Sequence, residues 1–223
     1  MNYWLKLGAM AICAVAIQNA TALPHLQLDS PQGTFDSATE TTVSTTDAYD
    51  IWALGQNPSG DYYLSIAVTP KLGNSPAQGT SIGSFTIGST TYSTAAGNLT
   101  YGAPPNPVGT HGDLYPTFWA QIKFQFGTDT VGAYDVQTDA AKAGSLLSRN
   151  VFAIDMSGLN EGFGLHFDLY SLTKNKKGET IVGQFAPFSH DAEGTGTNVP
   201  DGGATAALFG LALIGLAAVR RKK

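Results

Sequence analysis

The sequence predicts an all-β protein: an antiparallel β-sandwich, jelly-roll-like, flanked by an N-terminal signal peptide and one C-terminal transmembrane helix. Three observations predict it. Short segments of strict polar/apolar alternation fill the middle of the chain, clusters of Gly, Pro, Asn and Ser punctuate them, and a distinct apolar run lies at each end.

The alternation is clearest in three places. In Tyr62–Thr69, residues Tyr62, Leu64, Ile66 and Val68 share one face. Between Phe118 and Phe126 the set Phe118, Ala120, Ile122, Phe124 and Phe126 does the same, and between Phe163 and Tyr170 so do Phe163, Leu165, Phe167 and Leu169. Successive side chains on a strand point to opposite faces, so each segment offers one face to a core and the other to solvent. Further strands are expected at Glu40–Thr46, Tyr49–Leu54, Ser84–Ile87, Val131–Val136, Asn150–Asp155 and Thr180–Phe185. Breakers separate them at Asn57–Gly60, Leu72–Pro76 and Lys174–Gly178, and Tyr101–Tyr115, with three prolines, reads as a long loop. Asp139–Ser148 is expected to form a short helix. Residues 191–203, with Gly194, Gly196 and Pro200, read as a flexible linker, which sets the folded domain at 23–190.

The ends of the chain are addresses rather than parts of the core. Residues 1–22 combine Lys6, an apolar run from Leu7 to Ile17, and Ala20-x-Ala22, the layout of a secretory signal peptide removed by signal peptidase. Cys13, the only cysteine, lies inside it, so the exported part has neither a disulfide framework nor a thiol-based metal site. At the other end, residues 204–219 carry no charge and precede Arg220, Arg221, Lys222 and Lys223. As a helix this run is about 24 Å long against a hydrocarbon core of about 30 Å, a shortfall that local thinning accommodates. The basic stop places 220–223 in the cytoplasm and the rest of the chain outside. The whole chain carries a formal charge of −5, and removing Lys6 and the four terminal cations leaves −10. An acidic exported part argues against nucleic acid and anionic lipid as partners.

Val199-Pro200-Asp201-Gly202-Gly203, the apolar run and the basic cluster together resemble the VPDSG variant of the PEP-CTERM sorting signals. The resemblance implies recognition by a membrane exosortase and anchoring at the cell surface or release into extracellular matrix. Gly202 departs from the variant, which has serine there. The domain also resembles the choice-of-anchor N proteins, bacterial surface proteins whose similar ectodomains join different anchors. The resemblance rests on Gly33-Thr34-Phe35-Asp36, Tyr101-Gly102-Ala103-Pro104-Pro105, Tyr115-Pro116-Thr117, His166-Phe167-Asp168-Leu169-Tyr170 and Ala186-Pro187-Phe188-Ser189-His190-Asp191-Ala192. It implies an address and no activity.

Candidate chemistry concentrates in three His/Asp pairs: His111 with Asp113, His166 with Asp168, and His190 with Asp191. Imidazole and carboxylate suit divalent metals, and His166 and Asp168 project from the same strand face, opposite the Phe/Leu core. The plainer expectation is that these groups hydrogen-bond to strand ends and loops, with no cofactor. Gly79-Thr80-Ser81-Ile82-Gly83 matches a nucleophile elbow, but it lacks the strand-then-helix context that chemistry needs. Asp129, Asp135 and Asp139 lack a calcium-loop pattern. Trp52, Trp119 and Tyr170 are candidates for stacking on extracellular polysaccharide. The expected function is therefore that of a non-enzymatic surface protein. The alternatives are a carbohydrate- or metal-binding module and a polysaccharide hydrolase working through paired carboxylates.

Overall fold

The computed structural model describes residues 23–73, 80–105 and 114–196. The signal peptide at 1–22, the sorting tail and apolar run from 199 to 223, and the pair His111 and Asp113 lie outside the described residues. Among the described residues no helix is long and apolar enough to cross a membrane.

The described chain is all β. Its strands are β1 (Leu26–Asp29), β2 (Thr34–Asp36), β3 (Thr41–Ser44), β4 (Ala48–Gly55), β5 (Tyr62–Thr69), β6 (Ser84–Ile87) and β7 (Thr90–Ser93). They continue with β8 (Thr100–Gly102), β9 (Thr117–Phe124), β10 (Thr130–Asp135), β11 (Ala140–Asp155), β12 (Gly164–Lys174), β13 (Thr180–Phe185) and β14 (Asp191–Gly194). One sheet runs β1-β4-β11-β6-β7, with β10 paired to β11. The other runs β2-β3-β14-β12-β5-β9-β8, with β13 paired to β12.

The alternating faces identified in the sequence meet in a single core. Leu26, Leu28, Ile51, Phe85, Phe152 and Ile154 from one sheet pack against Leu64, Ile66, Val68, Leu165, Phe167 and Leu169 from the other. Edge-to-face rings cross between the sheets, Tyr49 on Phe167 and Phe124 on Phe152, with centroids 6.4 and 5.1 Å apart. A second, smaller cluster of Leu23, Leu54, Ala133, Val136 and Leu147 lies under the β10–β11 pair, with Trp52 packed against it.

Four expectations change, the smallest being that Tyr101 and Gly102 belong to β8 and pair with β9 rather than opening a loop. Asp139–Ser148 is not a helix: Asp139 takes a positive φ of 53° and turns the chain from β10 into β11, which pairs from Ala140 onward. Its apolar residues Leu146 and Leu147 alternate in exposure as on a strand, Leu147 being buried and Leu146 exposed. The linker does not begin at 191, because Asp191–Gly194 forms β14. The domain therefore continues past its expected end at 190. The sandwich is also not purely antiparallel, since β14 runs parallel to β3 while pairing antiparallel with β12.

That pairing places β14 and β13 end to end on one edge of β12. Thr180–Phe185 pairs with the far half of β12, a single 3-10 turn at Phe188–His190 follows, and Asp191–Gly194 pairs with Leu165–Phe167. Gly194 is required by packing. A Cβ there would stand 1.8 Å from the Tyr49 hydroxyl oxygen and 2.7 Å from the Met156 sulfur.

Candidate functional site: a buried histidine among carboxylates

The outward face of the second sheet carries the site. On β12, His166, Asp168 and Tyr170 alternate with the core residues Leu165, Phe167 and Leu169. The register sets His166 opposite Glu193 on β14 and Ala67 on β5, and Asp168 opposite Ser65. Phe167 is opposite Ala192, and the residues just beyond that pair, Asp168 and Asp191, bring their carboxylates within 4.8 Å of each other. The sequence reading sent this face toward solvent, and the structure corrects it. His166, Asp168 and Asp191 are each no more than 5% exposed.

Cover comes from the segment leading into β9 and from neighbouring strands. Leu114 is buried. The Tyr115 phenol lies near enough to Asp168 and Ser65 to feel both; burial and the Asp168 charge push its pKa up, and Ser65 opposes them. Tyr63 stacks on Tyr170 with centroids 5.9 Å apart. Gln121 donates its side-chain amide to the Tyr170 hydroxyl. Burial pushes the Tyr170 phenol up to about 12, against that hydrogen bond and with help from the Asp168 charge.

His166 is at the centre. Its Nδ1–H donates to Glu193 Oε1 at 3.1 Å, while Nε2 stands 3.5 Å from Asp168 Oδ1 and 3.5 Å from Asp191 Oδ2. Burial by itself would lower the ring's pKa. Hydrogen bonding to Asp168 and Glu193, with the charges of Asp168 and Asp191, outweighs it and pushes the pKa up to about 10. One ligand atom from each of His166, Asp168 and Asp191 lies within 4.8 Å of the others, the one such metal-type grouping among the described residues.

The sequence pairs therefore separate. His166 and Asp168 come together as expected, and Asp191 joins them. His190 does not: it ends the 3-10 turn that precedes β14 and faces Asp135 instead. Its Nε2 is 3.5 Å from Asp135 Oδ1, and its Nδ1 shares a 2.9 Å hydrogen bond with Ser189 Oγ. Burial holds the His190 pKa down, opposed by the Asp135 charge. Glu193 was missed. Asp191-x-Glu193 has the same two-residue spacing as His166-x-Asp168, but the expected linker hid it.

The remaining candidates have structural partners. Asp129 makes a two-pronged ion pair with Arg149, and Asp135 accepts from the Gln137 amide as well as facing His190. Ser81 precedes a strand rather than a helix, and Gly83 has φ of 80° with the Gly158 carbonyl where a Cβ would go. Trp52 lies beneath the Arg149 guanidinium at 4.3 Å. Tyr170 is fully buried and Trp119 half-buried, so these rings do not form an exposed stacking platform.

Comparison with curated proteins gives no match. Comparison with family models finds the VPDSG-CTERM motif over residues 198–223, so the chain carries, behind its β-sandwich, the C-terminal sorting signal of an exported protein.

Proposed function

We propose that this is a non-enzymatic surface protein, exported through its N-terminal signal and sorted by an exosortase-type enzyme acting on its tail. The observation that carries the reading is the VPDSG-CTERM match at 198–223, directly behind a self-contained sandwich. The choice-of-anchor resemblance accords with it. A display role is supported by the closed character of the concentrated set of titratable groups found among the described residues. His166, Asp168 and Asp191 lie under the sheet's outer face, where a polymeric substrate has no path to them. The broad groove along β10 and β11 is lined by Tyr134, Leu146, Lys142 and small residues, without a carboxylate to act as acid or base.

The test is the intact mass of the protein taken from its host's surface, with and without residues 198–223. A mass running from near Leu23 to the stretch 199–203 is expected, and deletion of the tail should send the protein into the medium. A mass that retains Ala204 to Lys223 would mean the tail anchors without being cleaved. Turnover of the host's matrix polysaccharide by the purified protein would overturn the non-enzymatic reading.

A further inference from the structure

We propose that His166, Asp168 and Asp191 bind one divalent cation of the zinc class, with Glu193 orienting the histidine. The donor set is the first support. An imidazole nitrogen and two carboxylate oxygens converge in a buried position, the ligand types that zinc takes at about 2.0–2.2 Å. The separations are the second. Two ligands on a tetrahedral ion with arms of about 2.1 Å stand about 3.4 Å apart. Nε2 lies 3.5 Å from each aspartate oxygen, close to that tetrahedral edge.

Glu193 supplies an independent sign. A metal-bound histidine nearly always donates its other ring N–H to a carboxylate, which fixes the tautomer and turns the free nitrogen to the ion. Here Nδ1–H donates to Glu193 Oε1 at 3.1 Å, and Nε2 faces the two aspartates. The strand register explains why a cation belongs there. It pairs Phe167 with Ala192, and the next residues, Asp168 and Asp191, come close on adjacent strands, a like-charge pair that weakens a sheet unless a positive charge bridges it. Three ligands leave one tetrahedral position for water or a fourth donor.

The proposal is independent of how the tail is processed, and binding tests it directly. The full chain is stripped with chelator, desalted and titrated with ZnCl2, following heat and melting temperature. One zinc per chain and a raised Tm are expected. Asp168→Asn and Asp191→Asn should abolish the Tm response. Glu193→Gln, at a half-exposed position that tolerates the change, should fold normally and bind about 10- to 100-fold more weakly. A wild-type Tm unmoved by zinc would overturn the site and leave an imidazolium–carboxylate ion cluster. Wild-type affinity in both Asp191→Asn and Glu193→Gln would place the zinc elsewhere. A response to Ca2+ but not to Zn2+ would overturn the assignment of the ion, since calcium requires longer arms and more oxygens.

Discussion

At the residue scale the decisive feature is a charge inside a sheet face. Without metal, the His166 ring is an imidazolium linking carboxylates on two strands, its pKa pushed up to about 10. The sign of the pH effect follows. A group whose folded pKa lies above its unfolded value near 6.5 gives stability that is fully present below about pH 6.5. That stability is lost as pH rises through about 10. Chelator-treated protein should therefore lose resistance to urea between pH 7 and pH 10, and His166→Gln should lack that part of the slope. At pH 7 the same variant leaves buried carboxylates without their cation, a loss of about 3–5 kcal/mol. Parallel urea curves for wild type and variant across this range would show that His166 does not titrate there. Sequence alone suggested His166 and Asp168 as partners through their two-residue spacing. It did not show that the face is covered, because Tyr115 comes from a distant segment.

At the element scale β14 decides how much of the site exists. It brings both Asp191 and Glu193 to β12, and its fit depends on Gly194 lying against the Tyr49 ring and Met156. Gly194→Ala should cost about 1–3 kcal/mol through overpacking, read as a lower urea midpoint with an unchanged slope. An unperturbed midpoint would mean that the β14 backbone has room to shift. The segment was hard to read because Asp191-Ala192-Glu193-Gly194 has one small apolar residue and a glycine, the composition of a linker. Only its two neighbours make it a strand: its backbone groups pair with β3 on one side and β12 on the other. At 139–148 local preference points the other way, since its alanines and leucines favour a helix. Pairing with β10 overrides that propensity, and Leu147 is drawn into the small cluster with Leu54 and Val136.

At the scale of the molecule, β14, the last strand of the described residues, is internal to a sheet. Among the described residues, β2 and β3 join the rest of that sheet only through β14. Ending the chain after His190 should therefore detach them and expose the β12 edge, giving insoluble or unfolded protein, whereas ending it after Gly196 should leave a cooperative domain. Equal solubility and equal thermal transitions for the two truncations would refute that role for β14. The arrangement also puts β14 shortly before the sorting signal at 198–223.

The sequence by itself determined the class of the fold, the inward residues of β5, β9 and β12, and the sorting signal. These are local properties: alternation with period two, and a contiguous motif with its apolar run and basic cluster. Tertiary structure alone decided that Asp191–Gly194 is a strand and that the outer face of β12 is buried. It also decided that His166 gathers Asp168, Asp191 and Glu193 while His190 turns to Asp135. Each of those outcomes depends on which strands become neighbours and in what register, and that choice is made by burying the whole apolar surface at once, not by any one segment.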